Sequence, residues 1–277
     1  MYKSKKNKKP PCINKLNKTK KNLGCSPNVN NNNNYTCYNN KSLIYLKNLW
    51  NTRHPDLFID TNNNKLIWNY LKNYMNHICK NEKCWLKQNF SKNKLTDELK
   101  NYTFLPETPK SWKKNKNEWL NSLDIERVMK QYEKKYTNFE FLGPSPINFD
   151  NKISENNCVW NELCNFNLSN KILKGVNKIG IIFNTDPHYL SGSHWISMFI
   201  NIKEKYILFF DSNGTNPPKE VKNLINKIKK QGKILKINFK VLINKKNHQK
   251  ENSECGMYSL HTIIGLLENY HDINFYL

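Results

Sequence analysis

Hydrophobic residues in the first half of the chain recur every three or four positions, which is the spacing of amphipathic helices. In "KSLIYLKNLWNTRHP", Leu43, Leu46 and Leu49 line one predicted helix, with Ile44 and Trp50 beside them. Pro55 and the polar "DTNNN" separate it from the next helix. That second helix has Ile67, Leu71, Tyr74 and Ile78 on one face, and a third over 117–136 has Leu120, Leu123, Ile125, Val128, Met129 and Tyr132.

Strand patterns dominate the second half. "KIGIIFNTD" is a short apolar run, and "HWISMFINI" alternates with period two. "YILFFDSNG" follows after the short turn "KEK", so these two segments predict an antiparallel hairpin. "ILKINFKVLI" predicts a further strand, and "FEFLGPSPINF" an extended segment that contains proline.

Two more helices complete the pattern. "PPKEVKNLINKIKKQ" begins with proline and has Val221, Leu224, Ile225 and Ile228 on one face. The helix after Cys255 has Met257, Leu260, Ile263, Ile264 and Leu267 as its expected buried residues. Helices that flank a mainly antiparallel sheet define an α+β fold.

Composition divides the chain into three parts. Residues 1–34 contain nine Lys, no acid and an Asn run, so they predict a disordered basic tail. Residues 35–112 form the expected small helical domain, and 113–277 the domain with the sheet.

The formal net charge of +23 favours polyanionic partners, such as DNA bound non-specifically through a basic surface. An A/T-rich genome, which enriches Lys and Asn, explains the same composition. The sequence contains no run of 18 apolar residues, so it predicts no membrane span. The N-terminus lacks the apolar core of a secretory signal. Eight irregularly spaced cysteines fit a reduced compartment better than a disulfide framework.

Four polar residues occupy positions that suit nucleophilic catalysis. His194 opens the first strand of the hairpin and Asp211 ends the second, so the two side chains are expected side by side. Cys255 precedes a helix, whose free amides and positive dipole end favour a thiolate. Gln249 and the amide of Cys255 would supply donors for an oxyanion.

Each of these residues alone has a simpler explanation. A histidine at a strand start is usually a polar surface residue, an Asp before Ser-Asn-Gly usually belongs to a turn, and a Cys before a helix is usually buried packing. Their order and spacing together favour catalysis.

His-Trp, then Asp-Ser 17 residues later, then Gln-x5-Cys-Gly resembles the cysteine peptidases typified by SUMO-specific proteases and the adenovirus protease. "IIFNTDPHYLSGSHWISMFI" and "HQKENSECGMYSL" look most similar to the proteases of large DNA viruses, of the asfarvirus and mimivirus type. The resemblance covers about residues 117–270 and implies an adenovirus- or SUMO-protease-like fold.

The resemblance implies specific roles. His194 would be the general base, Asp211 its orienting acid, Cys255 the nucleophile and Gln249 the oxyanion donor. Trp195, Gly256 and Asn184 would bind substrate. The implied protein is a thiol protease without a cofactor or metal. It would cleave viral structural precursor proteins after Gly-Gly-x or similar small-residue motifs during virion maturation, in the virion and the host cytoplasm.

Because the chain ends 22 residues beyond Cys255, before the further element that such proteases carry, the resemblance also implies a C-terminal truncation.

Other readings stay open at this point. The same triad would serve an isopeptidase for ubiquitin-like modifiers, or acyl transfer, and the charge alone would suit a nucleic-acid-binding structural protein. Cys79 and Cys84 with His77 suggest zinc only weakly, because no second pair at suitable spacing follows.

Overall fold

The computed structural model describes residues 25–28, 34–96, 99, 103–109, 111–115 and 117–277. Most of the predicted disordered tail over 1–34 lies outside the described residues. Residues 25–28 are described, and they pack against the rest of the protein: Ser26 is buried and its amide donates to the carbonyl of Thr103.

Short helices with asparagine caps build the N-terminal part: α1 (Asn40–Arg53), a 3-10 turn (Pro55–Leu57), α2 (Asn64–Met75) and α3 (Glu82–Trp85). Asn39, Asn63 and Asn81 each accept a hydrogen bond from an amide in the first turn, which satisfies donors that the helix leaves free. The helices enclose a hydrophobic cluster that includes Tyr38, Leu43, Trp50, Leu71 and Trp85.

The two helices predicted here are confirmed, but Ile78, which was predicted on the face of the second helix, is 64% exposed. Helix α2 ends at Met75, so Ile78 lies beyond it and the helical spacing no longer determines where its side chain points.

The remaining elements include helices α4 (Ser111–Lys114), α5 (Ser122–Lys135), α6 (Asn161–Cys164), α7 (Leu168–Leu173), α8 (Lys219–Ile234) and α9 (Cys255–Glu268). The strands are β1 (Phe139–Phe141), β2 (Ser145–Pro146), β3 (Lys152–Ser154), β4 (Asn157–Cys158), β5 (Lys178–Asn184), β6 (Trp195–Asn201), β7 (Tyr206–Phe210) and β8 (Lys240–Ile243).

One sheet with the strand order β1-β5-β6-β7-β8 carries the second part of the chain, and β2 also pairs with β5. The central strands β5, β6 and β7 pair antiparallel, and the predicted β6–β7 hairpin is confirmed. The outer strands β1, β2 and β8 add parallel pairs, so the sheet is mixed. The predicted α+β fold, with a sheet flanked by helices, is confirmed.

Helices cover both faces of this sheet. Helix α8 packs on one face through Val221, Leu224, Ile225 and Ile228, as predicted. Helices α5 and α9 pack on the other face. Every residue of β6 is therefore buried. Its alternate side chains enter the two hydrophobic clusters on the two faces of the sheet, and neither set faces solvent.

Two predicted core residues are at the surface. Leu123 is 67% exposed, because α5 begins at Ser122 with the capping box of Asn121 and Asp124, and its buried stripe starts at Ile125. Met257 is 46% exposed, and α9 packs instead through residues such as Leu260, Ile263 and Leu267.

The expectation of reduced cysteines is wrong for six of the eight. Disulfides join Cys25 to Cys37, Cys79 to Cys84, and Cys158 to Cys164. Irregular sequence spacing concealed these pairs because each forms only where the fold brings two Cα atoms together. Cys255 is the free cysteine among the described residues.

Among the residues that the structure describes, no helix combines the length and the hydropathy needed to cross a membrane.

Candidate active site

The β6–β7 hairpin brings His194 and Asp211 together. His194 directly precedes β6 and Asp211 directly follows β7, and the register pairs Ser197 with Phe210 between them. The imidazole Nε2 lies 2.7 Å from the carboxylate Oδ1 of Asp211. The main chain of His194 is itself held, because its carbonyl accepts from the amide of Thr185 at the end of β5.

Asp211 is 2% exposed and lies in a dense hydrogen-bond network. The amide of Asn213 donates to Oδ1 at 2.9 Å, and the hydroxyl of Thr215 donates to Oδ2. Burial raises the pKa of this carboxyl, but the hydrogen bonds from His194, Thr215 and Asn213 outweigh it and hold the pKa below its usual value. The network therefore keeps Asp211 ionised.

Cys255 is the first residue of α9, and its side chain is fully buried beside His194. Burial lowers the pKa of His194, but hydrogen bonds to Asp211 and Cys255 and their charges raise it to about 9. Since Nε2 faces Asp211, the other ring nitrogen is left for the sulfur. The imidazole is thus protonated at neutral pH, which suits a thiolate partner at a positive helix end.

Gln249 is tied to the residue after Asp211. Its side-chain Oε1 accepts a 2.6 Å hydrogen bond from the hydroxyl of Ser212. Its main-chain N–H donates to the carbonyl of Ser212. With the carbonyl oxygen engaged, the side-chain NH2 is the group that can donate to an anion. The following loop is closed by Glu254, whose carboxylate accepts from the amides of Lys250 and Glu251.

Leu120 connects two of the residues expected to bind substrate. The indole of Trp195 donates to the carbonyl of Leu120 at 2.9 Å. A Cβ added to Gly256 would lie 3.1 Å from the side chain of Leu120. Gly256 is predicted to bind substrate, and because the space beside its Cα is filled by Leu120, packing also requires this glycine.

A cleft of about 620 Å³ adjoins the triad. Trp195 and Leu120 belong to its lining, as does Asn184, which pairs with Trp195 in the β5–β6 register. None of His194, Asp211 and Cys255 lines this cleft, so the triad and the cleft are neighbours that meet at Trp195, the residue after His194.

Sequence reasoning missed the residues that hold the site in place. Buried Asn244 accepts from the amide of Asp211 and donates to its carbonyl, both at 2.8 Å. Ser212, Thr215 and Leu120 contribute the contacts described above. Ser212 and Thr215 follow Asp211 closely in the sequence, so an extended motif around Asp211 could have included them. Asn244 and Leu120 lie far from Asp211 in the sequence, and the residues around them give no indication of these contacts.

No group of three or more His, Cys, Asp or Glu side chains within the described ranges is arranged to hold a metal ion. The weak zinc candidates Cys79 and Cys84 are bonded to each other instead.

A mixed α+β fold with a Cys-His-Asp constellation at one end of its sheet defines a cysteine-type peptidase. The family described as the Ulp1 protease family, C-terminal catalytic domain, matches residues 147–274. A protein of Acanthamoeba polyphaga mimivirus assigned as a thiol protease is 30% identical over 267 residues, which cover 88% of this chain and 84% of the relative. The chain belongs to the Ulp1 protease family of cysteine peptidases.

Two further similarities come from another virus. A SUMO-1 cysteine protease of African swine fever virus is 26% identical over 167 residues, which cover 56% of this chain and 60% of that protein. A crystal structure of the African swine fever virus protease matches with a TM-score of 0.50 at 21% identity, over 88% of this chain and 85% of that one. The latter similarity concerns the fold alone.

Proposed function

We propose that this cysteine peptidase is a viral maturation protease that cleaves structural and core precursor proteins, with His194, Asp211, Gln249 and Cys255 as its catalytic residues. The observation that carries the proposal is the 2.7 Å contact between His194 Nε2 and Asp211 Oδ1, together with the buried Cys255, which helps to raise the pKa of His194. The viral origin of the relatives supports the biological setting. The enzyme would act in the virion and in the host cytoplasm, where particles assemble.

The proposed reaction uses each residue in turn. The Cys255 thiolate attacks the carbonyl carbon of the scissile bond, and the resulting oxyanion accepts from the Cys255 amide and the Gln249 side chain. Protonated His194 gives its proton to the leaving amine, which leaves a thioester on Cys255. His194 then takes a proton from water, which attacks the thioester and releases the acid. Asp211 orients the ring and stabilises the imidazolium.

Cleavage after Gly-Gly-x or a similar small-residue motif is part of the proposal. Glycine has no Cβ, so its backbone fits a narrow slot, and Leu120, which is hydrogen-bonded to Trp195, packs closely against Gly256 beside Cys255.

A fluorogenic Gly-Gly-x peptide tests this function. We expect wild-type protein to cleave it, and Cys255→Ala to lose activity by at least about 10³-fold. Cys12→Ala is the matched control, because it removes a thiol to which no catalytic role is assigned and is expected to retain activity. Undiminished cleavage by Cys255→Ala would overturn the assignment of the nucleophile.

An isopeptidase acting on ubiquitin-like modifiers is the second candidate, since the same triad serves both reactions and one relative is named a SUMO-1 cysteine protease. A ubiquitin-like protein with a C-terminal electrophile discriminates the two. Labelling of Cys255 by that protein at rates above those with a short Gly-Gly electrophile would favour the isopeptidase.

We also propose that the protein binds DNA non-specifically, through the outer face of α8. Lys219, Lys222, Lys230 and Lys233 are exposed there, opposite the buried face of the helix. Within the described residues none of the four forms an ion pair. A stripe of uncompensated positive charge on one helix face suits phosphates.

The salt dependence of DNA affinity tests this surface. Replacing the four lysines of α8 by Gln should reduce the slope of log K against log salt by about 3 to 4, since each phosphate contact contributes roughly 0.9. The control replaces Lys80, Lys83, Lys87 and Lys92 of the helical domain, and the same loss of slope in this control would show that net charge, not α8, carries the binding.

A further inference from the structure

The cleft beside the triad has a lining unlike the rest of this chain. Trp119, Trp160 and Trp195 supply aromatic surface, and Asp186 is the one carboxylate among the described residues that line it. Lys and Arg make up 45 of the 277 residues, yet neither occurs among the described residues of this lining. A strongly basic protein therefore presents an aromatic and acidic cavity that shares Trp195 and Leu120 with the surroundings of the triad.

One carboxylate oxygen of Asp186 is held by a hydrogen bond, and its main chain is held by two more. Its Oδ1 accepts a 2.8 Å hydrogen bond from the hydroxyl of Ser193, and its amide donates to Asn184 Oδ1 at 2.9 Å. The carbonyl of Asp186 accepts from the amide of Ile147. No described residue donates to its Oδ2, so this oxygen is available to a ligand.

His188 also lines the cleft, and Asn148 fixes its position. Asn148 Oδ1 accepts from the amide of His188 at 2.9 Å, so the Asn148 NH2 group faces the ring. That group lies 2.8 Å from Nδ1, which must accept. Asn148 therefore holds both the main chain and the ring of His188.

We propose that this cleft is a specificity site for a Lys or Arg side chain of the substrate. The aliphatic stem would pack on the tryptophans, and the cationic head would lie over an aromatic face and reach Asp186 Oδ2. A purely apolar side chain would cover the carboxylate without giving it a partner, which is unfavourable. The inference rests on the proposed function, because the ligand is part of the chain cleaved at Cys255.

Peptides with a Gly-Gly-x cleavage site provide the test. Lys, norleucine and Glu are placed in turn at each of the four positions before the glycines and the two positions after the cleaved bond. At one position we expect kcat/KM for Lys to exceed that for norleucine by about tenfold, and Glu to be the poorest. Equal rates at every position would overturn the proposal.

Variants of Asp186 connect the preference to the cleft. Asp186→Asn should reduce the advantage of Lys over norleucine to about twofold or less, and Asp186→Lys should make Glu the preferred residue. Asp150→Asn removes an exposed carboxylate that does not line the cleft, and it should preserve the wild-type preference. An unchanged preference in both Asp186 variants contradicts the assignment.

A binding measurement separates this inference from the proposed reaction. The same peptides, labelled with a fluorophore, are titrated with Cys255→Ala protein and with Cys255→Ala/Asp186→Asn, and anisotropy gives Kd. If the Lys peptide binds in an Asp186-dependent manner but wild-type protein does not cleave it, the proposed protease function is contradicted and the specificity site is supported. If wild-type protein cleaves the Gly-Gly peptides efficiently but Kd is the same with and without Asp186, the specificity site is contradicted and the protease function is supported.

Discussion

At the scale of single residues, the proposed triad depends on an asparagine that no motif contains. Asn244 is fully buried, and its side chain pairs with both the amide and the carbonyl of Asp211. Because Asp211 lies just beyond the end of β7, the strand pairing does not fix it. Asn244 replaces the missing backbone partner and thereby sets the position of the carboxylate that faces His194.

Asn244→Ala should lower the free energy of unfolding by about 2–4 kcal/mol, because two buried main-chain groups lose their partner. It should also reduce kcat more than it raises KM, since Asp211 would no longer hold the imidazole. Chemical denaturation and steady-state kinetics measure both effects. Asn226→Ala, on the exposed face of α8, is the control and should remain within about 0.5 kcal/mol of wild type.

The raised pKa of His194 predicts a stability that depends on pH. The unfolded imidazole has a pKa of about 6.5, and the folded value is about 9. A raised pKa stabilises the folded state fully below the unfolded value, and this contribution is lost as pH rises through the folded value. The stability advantage of wild type over His194→Gln should therefore be larger at pH 6 than at pH 10.

Urea denaturation of both proteins at the two pH values provides the measurement. His77→Gln, which changes an exposed histidine of the helical domain, should show no such difference. If the difference in free energy of unfolding between wild type and His194→Gln instead grows from pH 6 to pH 10, the ion pair between His194 and its partners is contradicted.

At the scale of elements, helix α9 is positioned by close contact at its first turn. Gly256 follows the proposed nucleophile and packs against Leu120, which precedes α5 and accepts the hydrogen bond from Trp195. The segment before α5 thus touches both the cysteine helix and the histidine strand. This contact explains how a part of the chain outside the sheet shapes the site.

Gly256→Ala should destabilise the protein by about 1–3 kcal/mol, since the added methyl group overpacks against Leu120. Met257→Ala, at an exposed position of the same helix, is the matched control with a change within about 0.5 kcal/mol. In a double-mutant cycle, the cost of Gly256→Ala should shrink in the Leu120→Ala background. Additive effects would show that the two residues do not interact.

At the scale of the whole molecule, the N-terminal segment and the sheet domain are linked. The Cys25–Cys37 disulfide joins residue 25 to the start of the helical domain. The carbonyl of Cys25 accepts from Lys135 of α5, and the same ammonium pairs with buried Glu268 of α9 at 2.8 Å. The end of the predicted tail therefore takes part in the packing of the helices that carry the site.

Thiol counting tests the three disulfides together. Alkylation in denaturant without reductant should add two labels, on Cys12 and Cys255, because the other six of the eight cysteines are paired. Alkylation after reduction should add eight. Mass spectrometry of the intact protein reads both numbers, and eight labels without reductant would contradict the pairing.

The sequence by itself determined the central strands β5, β6 and β7, the longer helices and the four proposed catalytic positions, because hydrophobic period and motif spacing are local properties. It gave no signal for the short elements β3, β4, α6 and α7, and the strand predicted for "ILKINFKVLI" is confirmed only over Lys240–Ile243. It misplaced Ile78, Leu123 and Met257, since a periodic pattern does not reveal where a helix begins and ends or which turn meets the core. The division at residues 34 and 112 stays a prediction.

Only the tertiary structure decided the parallel outer strands, the disulfide pairs, the Asn244 and Leu120 contacts and the acidic aromatic cleft. Each of these joins residues from separate elements, and such contacts depend on how the elements pack rather than on the sequence around any one of them.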